Sequence, residues 1–171
     1  MTITRRTVLA TVTAAAMMSM APAAMAQEYP DKRITIIVPY SAGGATDVLA
    51  RQIADGLNGV LGETVTVENR PGAGATLGTT QAANARPDGY TLFMGQVSSH
   101  GIAPAVYSNL QYDPVEDFDP IQLLISIPNV MVVNSDSPYT TVSEFIAGAA
   151  DGGVTFGSSG TGSSIHLSGE M

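Results

Sequence analysis

A chain of 171 residues with no cysteine excludes disulfides, thiol catalysis and cysteine-ligated metal from the outset. It carries 15 acidic against 7 basic residues, a net charge of −8, and no basic stripe, which excludes nucleic acid as a partner. An anionic ligand would be bound against the overall field, so backbone N–H groups, hydroxyls and helix ends would have to hold it.

Thr4-Arg5-Arg6-Thr7 is a short basic segment, Val8 to Met20 is apolar and uncharged, and Ala24-Met25-Ala26 fits the small-residue rule for signal cleavage. Residues 1–26 therefore read as a signal peptide cleaved after Ala26, and the product as exported to the periplasm. Arg5-Arg6 followed by Thr7-Val8-Leu9 resembles a twin-arginine signal, and an ordinary Sec signal fits equally well. The apolar stretch is too short and too rich in Ala and Thr for a stable membrane span. Losing Arg5 and Arg6 takes the basic count from 7 to 5 against the same 15 acids, and the net charge from −8 to −10. A bacterial periplasmic protein can do without disulfides, so the missing cysteine agrees with export.

Ile34-Thr35-Ile36-Ile37-Val38 reads as a strand buried on both faces. Pro39 to Gly44 cannot continue it. From Ala45 to Leu61 the spacing predicts a helix with Val48, Leu49, Ile53, Leu57, Val60 and Leu61 inward, closed by Gly62. Strand two is Thr64 to Glu68. A turn-rich loop, Asn69 to Gly74, precedes a helix of small residues from Ala75 to Ala85. Pro87-Asp88-Gly89 turns into strand three, Tyr90 to Met94. The order β-α-β-α-β predicts a parallel, doubly wound sheet with right-handed crossovers. Ligands in such sheets sit beyond the C-terminal strand ends. Those ends run into Tyr40–Gly44, Asn69–Gly74 and Gln96–His100.

The rhythm then changes. Ala103 to Pro120 reads as an irregular acidic surface segment. Ile121 to Ile127 and Asn129 to Val133 read as strands broken by Pro128. Thr141-Val142-Ser143-Glu144 is a capping box that opens a helix to about Ala150. Val154 to Phe156 reads as a strand, followed by a glycine/serine loop and a helix start. The expectation is an α/β domain at 27–122 and the incomplete start of a second α/β domain at 123–171. Because the last helix has barely begun at Met171, the chain reads as a fragment.

Two glycine loops carry the candidate chemistry. In the first, Gly43 and Gly44 let a ligand approach the backbone, Ser41 adds a hydroxyl, and Thr46 or Asp47 could cap the helix. In the last, Ser158 to Ser164 offers hydroxyls and N–H groups at a helix start. Gly72-Ala73-Gly74-Ala75-Thr76-Leu77-Gly78 approaches a dinucleotide fingerprint, but it follows strand two and no acid ends strand three. No lysine follows a glycine loop, so a Walker site is absent. His100 and His166 have no metal-ligand spacing, so no metal or cofactor is expected. An exported serine-type α/β hydrolase using His100 or His166 is the alternative reading, although no G-x-S-x-G elbow is present.

The motifs V-P-Y-S-A-G-G-A-T-D-V-L-A-R (38–51), V-E-N-R-P-G-A-G-A (67–75), P-D-G-Y-T-L (87–92), Y-D-P-V-E-D-F-D-P-I (112–121) and G-S-S-G-T-G-S-S-I-H-L (157–167) together resemble the periplasmic receptors of tripartite tricarboxylate transporters, the Bug family. The resemblance implies a two-domain, type II periplasmic-binding-protein fold that closes like a Venus flytrap, with no enzymatic activity. The implied ligand is a small carboxylate: a di- or tricarboxylate, an amino acid or an aromatic acid. It implies uptake or sensing, with a tripartite tricarboxylate membrane transporter as a possible partner. By motif position the implied ligand loops are Tyr40, Ser41, Ala42, Gly43 and Gly44, then Gly72, Ala73, Gly74 and Ala75, faced by the helix opened by Thr161, Gly162, Ser163 and Ser164. Asp47, Ser98 and Ser158 complete the candidate set. The usual first-loop aromatic in that family is Phe, and Tyr40 adds a hydroxyl.

Overall fold

Strand β1 (Ile34–Val38) is buried along almost its whole length, as its β-branched sequence requires. In the computed structural model, which describes residues 28–150, 152 and 154–171, it is the middle strand of a three-stranded sheet. The proposed signal peptide and its cleavage point lie outside the described residues. Strands β2 (Val65–Asn69) and β3 (Thr91–Phe93) flank β1 in the order β2–β1–β3. Both pairings are parallel, with Val38 opposite Asn69 and Ile37 opposite Phe93.

Parallel neighbours need crossovers, supplied by α1 (Ala45–Leu61) and α2 (Thr76–Ala83). The strand order reverses at β1, so right-handed connections put the two helices on opposite faces. This covers β1 from both sides. It also creates a switch point between the C-terminal ends of β1 and β3, where open α/β sheets bind ligands.

Helix α1 has the expected limits, and Gly62 closes it with a φ of +72°. Its inner face differs from the expected one. Ala50 and Ala54 press on the sheet, with Leu49, Ile53, Leu57 and Leu61 beside them. Val48 and Val60, expected inward, are 49% and 82% exposed. The buried stripe runs through positions 47, 50, 54, 57 and 61 at helical spacing, and small alanines on it let the helix approach the strands. Helix α2 packs closer still. A Cβ at Gly78 would lie 2.6 Å from the Arg70 carbonyl oxygen and 2.9 Å from Pro39 Cα.

Helix α2 begins at Thr76 because a tight turn, Ala73–Ala75, precedes it. Ala73, Gly74 and Ala75 all take positive φ. The segment after β3 is more regular than expected: a π-helical turn, Ser98–Ile102, leads into α3 (Ala103–Val106). Helix α4 (Val142–Ala149) carries the expected capping box, and α5 (Ser164–Glu170) opens at the last glycine loop.

The strands expected at 121–127, 129–133 and 154–156 do not form. Strand propensity alone cannot make a ladder, and among the described residues no backbone pairs with these segments. Their side chains stand out from the surface, Leu123 being 81% exposed. Residues 123–171 therefore contribute helices α4 and α5 and no strand among the described residues.

Candidate functional site

A cleft of about 950 Å³ lies at the switch point. Its floor comes from the ends of β1 and β3, one wall from the first turn of α1, and another from residues 122–130 and the start of α5. Of the expected residues, Tyr40, Ser41, Ala42, Gly44, Gly72, Ala75, Ser98 and Ser164 line it. Among the described residues, no acid, base or histidine does.

The first loop is shaped from behind. Asp47 is only 2% exposed although it is charged. Its carboxylate accepts from Arg51 Nε (3.0 Å), the Gly43 N–H (2.8 Å) and Asn69 Nδ2 (2.9 Å), and Arg51 also approaches its other oxygen at 2.9 Å. These bonds, Arg51 first, hold its pKa down at about 2. Asn69 Nδ2 also donates to the Tyr40 carbonyl at 3.1 Å. Asp47 and Gly43 thus stand behind the cleft and spend their polar groups on each other. The expectation of a cap from Thr46 or Asp47 is corrected: no side chain caps that helix. The first N–H groups of α1 have no intrahelical partner. Gly44, Ala45 and Thr46, at this uncapped end, line the cleft.

The terminal loop is divided in its roles. Ser163 is fully buried and its hydroxyl accepts from the His166 N–H at 3.2 Å, capping α5. The Ser164 N–H donates to Ser98 Oγ at 3.2 Å, which ties α5 to the loop after β3. Ser158 Oγ accepts from the Gly160 N–H at 3.3 Å. The Thr161 carbonyl and Gly162 face Tyr107, as do Ala73 and Gly74 from the other side. Ala73, Gly74, Ser158, Thr161, Gly162 and Ser163 therefore lie outside the lining of the cleft.

Sequence reasoning missed Thr46 and Gln96 as a pair; Gln96 Nε2 donates to Thr46 Oγ1 across the switch point. The signal was available, since Gln96 follows strand three and Thr46 opens α1. It also missed Tyr107. Tyr40 packs against the core with its hydroxyl buried, and that hydroxyl meets no partner at bonding geometry. Burial raises its pKa, and the nearby Ser98 side chain opposes that rise.

The hydrolase alternative is corrected. Ser99 Oγ does lie 2.8 Å from His100 Nδ1. Ser99 is fully buried, however, and its hydroxyl donates to the Gln96 carbonyl and accepts from the Gln96 N–H. It staples a turn. His100 sits against the Phe93 and Phe118 rings, burial lowers its pKa, and among the described residues no carboxylate orients it. Among the described residues no three or more His, Cys, Asp or Glu side chains cluster as metal ligands, and no described helix is long and apolar enough to cross a membrane.

A parallel α/β sheet with a cleft at its switch point, faced by a second glycine loop, has the architecture of the periplasmic-binding-protein class. Residues 49–171 match the family described as the tripartite tricarboxylate transporter family receptor, TctC, and the chain belongs to that family. A UPF0065 protein of Agrobacterium vitis, from the TAR-I ttuE-ttuC' intergenic region, is 39% identical over 151 residues, covering 86% of this chain and 43% of the relative. The structure of R. palustris Rpa4515 with adipate superposes with a TM-score of 0.77 at 34% identity, over 84% of this chain and 48% of that one. The periplasmic binding protein BugD superposes at 0.73 and 36% identity, over 82% and 48%. The chain spans about half the length of the curated relatives it matches.

Proposed function

We propose that this protein is an extracytoplasmic solute-binding receptor that captures a small carboxylate for tripartite tricarboxylate-type uptake or sensing. The observation that carries the reading is the uncapped start of α1 opening into a cleft with no charged lining. Free N–H groups and the positive end of a 17-residue helix favour an anion there. Ser41, Thr46, Gln96 and Ser98 add neutral donors. A carboxylate suits such a site better than a phosphate, since no lysine follows a glycine loop. The adipate bound by the R. palustris relative supports the same class of ligand.

Residues 27–122 form the first lobe and 123–171 belong to the second, in this reading. Ligand contacts come from Tyr40, Ser41, Ala42, Gly44, Gly72, Ala75, Ser98 and Ser164, with Gly43 and Asp47 holding the first loop from behind and 73–74 and 158–163 shaping the approach of the lobes. The protein binds and does not catalyse. It acts in the periplasm after cleavage behind Ala26, and a tripartite membrane transporter receives its ligand. A thermal-shift screen with small mono-, di- and tricarboxylates tests this. Stabilisation that grows with the concentration of at least one acid is expected, because a ligand that binds only the folded state raises its stability once it exceeds Kd. No shift with any acid at millimolar concentration would sink the proposal.

A further inference from the structure

We propose that Tyr107 is a positioning residue that fixes the spacing between the glycine loops 72–75 and 160–162, and with it the aperture of the cleft. The aperture role rests on the binding reading above; the spacing role does not. The Tyr107 hydroxyl lies 2.8 Å from the Thr161 carbonyl oxygen and 3.2 Å from that of Ala73. A phenol has one proton to donate. The Ala73 carbonyl already accepts from the Thr76 N–H and from Thr76 Oγ1 at 2.9 Å. The proton therefore goes to Thr161, so one side chain is bonded to one loop and packed against the other, 54 and 34 residues away from it in sequence.

The loops are shaped for this approach. A Cβ at Gly74, whose φ is +60°, would lie 2.4 Å from the Thr161 oxygen and 3.0 Å from the Tyr107 hydroxyl. A Cβ at Gly162, whose φ is +78°, would lie 3.1 Å from the Tyr107 ring. Contact is backbone to backbone, with only the phenol between. Ala73 and Ala75 hold φ of 45° and 83°, conformations that persist in non-glycine residues only where the surroundings fix them. Tyr107 is itself anchored, its N–H bonded to the carbonyl of the fully buried Ala103 at 2.9 Å. Gly72 and Ala75 on one side and Ser159 and Ser164 on the other line the cleft. A change at the bridge must move both walls.

Tyr107→Phe keeps the ring against Gly162 and removes the proton. Amide hydrogen exchange without ligand is expected to be about tenfold faster at Ala75, Ser163 and Ser164, whose N–H groups bond to the Gly72 and Gly160 carbonyls and to Ser98 Oγ, and unchanged at Ile36 and Ile37, in line with the loss of one hydrogen bond. Adipate, used as the probe, is expected to bind about tenfold more weakly, through faster dissociation. Gly74→Ala, which keeps the phenol and displaces the Thr161 carbonyl, should reproduce the local exchange. Unchanged exchange at these amides, or an equal rise across the sheet, overturns the spacing role. Faster local exchange with unchanged adipate affinity overturns the aperture role. If the unaltered protein binds no carboxylate, the receptor reading fails while the exchange measurement still decides the spacing role.

Discussion

Asp47 and Arg51, one turn apart on α1, form a two-pronged pair in which Arg51 Nε and a terminal guanidinium nitrogen reach separate carboxylate oxygens at 3.0 and 2.9 Å. The pair lies behind the first glycine loop and holds it through the Gly43 N–H and through Asn69. The loop's shape therefore depends on a charge that lies outside the lining of the cleft.

The ionised form of Asp47 is favoured in the folded state, where its pKa is about 2 against an ordinary 3.8. Its contribution to stability is complete above the ordinary value and is lost as pH falls through the folded value. Asp47→Asn leaves one acceptor oxygen and turns two donors toward Arg51 and Asn69. The variant should melt at a lower temperature at neutral pH, and the gap should close as pH falls toward 2. Melting curves that stay parallel across that range would contradict the assignment.

Gly78→Ala tests the close packing of α2 on the end of β1. In an exposed helix the change would stabilise by about 1 kcal/mol through helix propensity. Here the new methyl meets the Arg70 carbonyl and Pro39, both backbone atoms that cannot swing away. Overpacking of this kind costs about 1–3 kcal/mol, so net destabilisation is expected in urea unfolding. A more stable variant would show that the helix stands farther from the sheet.

Tyr40→Phe removes a buried hydroxyl that lacks a bonding partner. Leaving such a group unsatisfied costs about 1–3 kcal/mol. The variant should match the parent in thermal stability or exceed it, as read by calorimetry without ligand. A clear loss of stability would mean that the phenol is paired, with Ser98 as the partner.

The sheet was legible because each of its elements announces itself locally. Ile34–Val38 is a continuous β-branched run, Gly62 stops a periodic helix, and short glycine loops force parallel order. The inner face of α1 was not legible in the same way. Val48 and Val60 are more apolar than Ala50 and Ala54, yet the distance between helix and sheet selects the smaller side chains. Residues 121–133 carry strand composition, but a ladder depends on a partner that local pattern cannot supply. At the cleft, strand-end position pointed to Tyr40, Ser41, Ala42, Gly44, Gly72, Ala75 and Ser98, which line it. Tyr107 escaped because it sits in an unremarkable acidic segment and acts on carbonyls far away in sequence.

The central claim is that neutral donors at the head of α1 hold an anion inside a negatively charged protein. Calorimetric titration of adipate and other small carboxylates into the purified protein, from low to high salt, tests it most directly. At least one acid should bind, with an affinity that holds or rises as salt screens the protein's net charge of −8. Binding that collapses with salt, as at a site built on lysine or arginine, would contradict the account, as would no binding of any carboxylate at millimolar concentration.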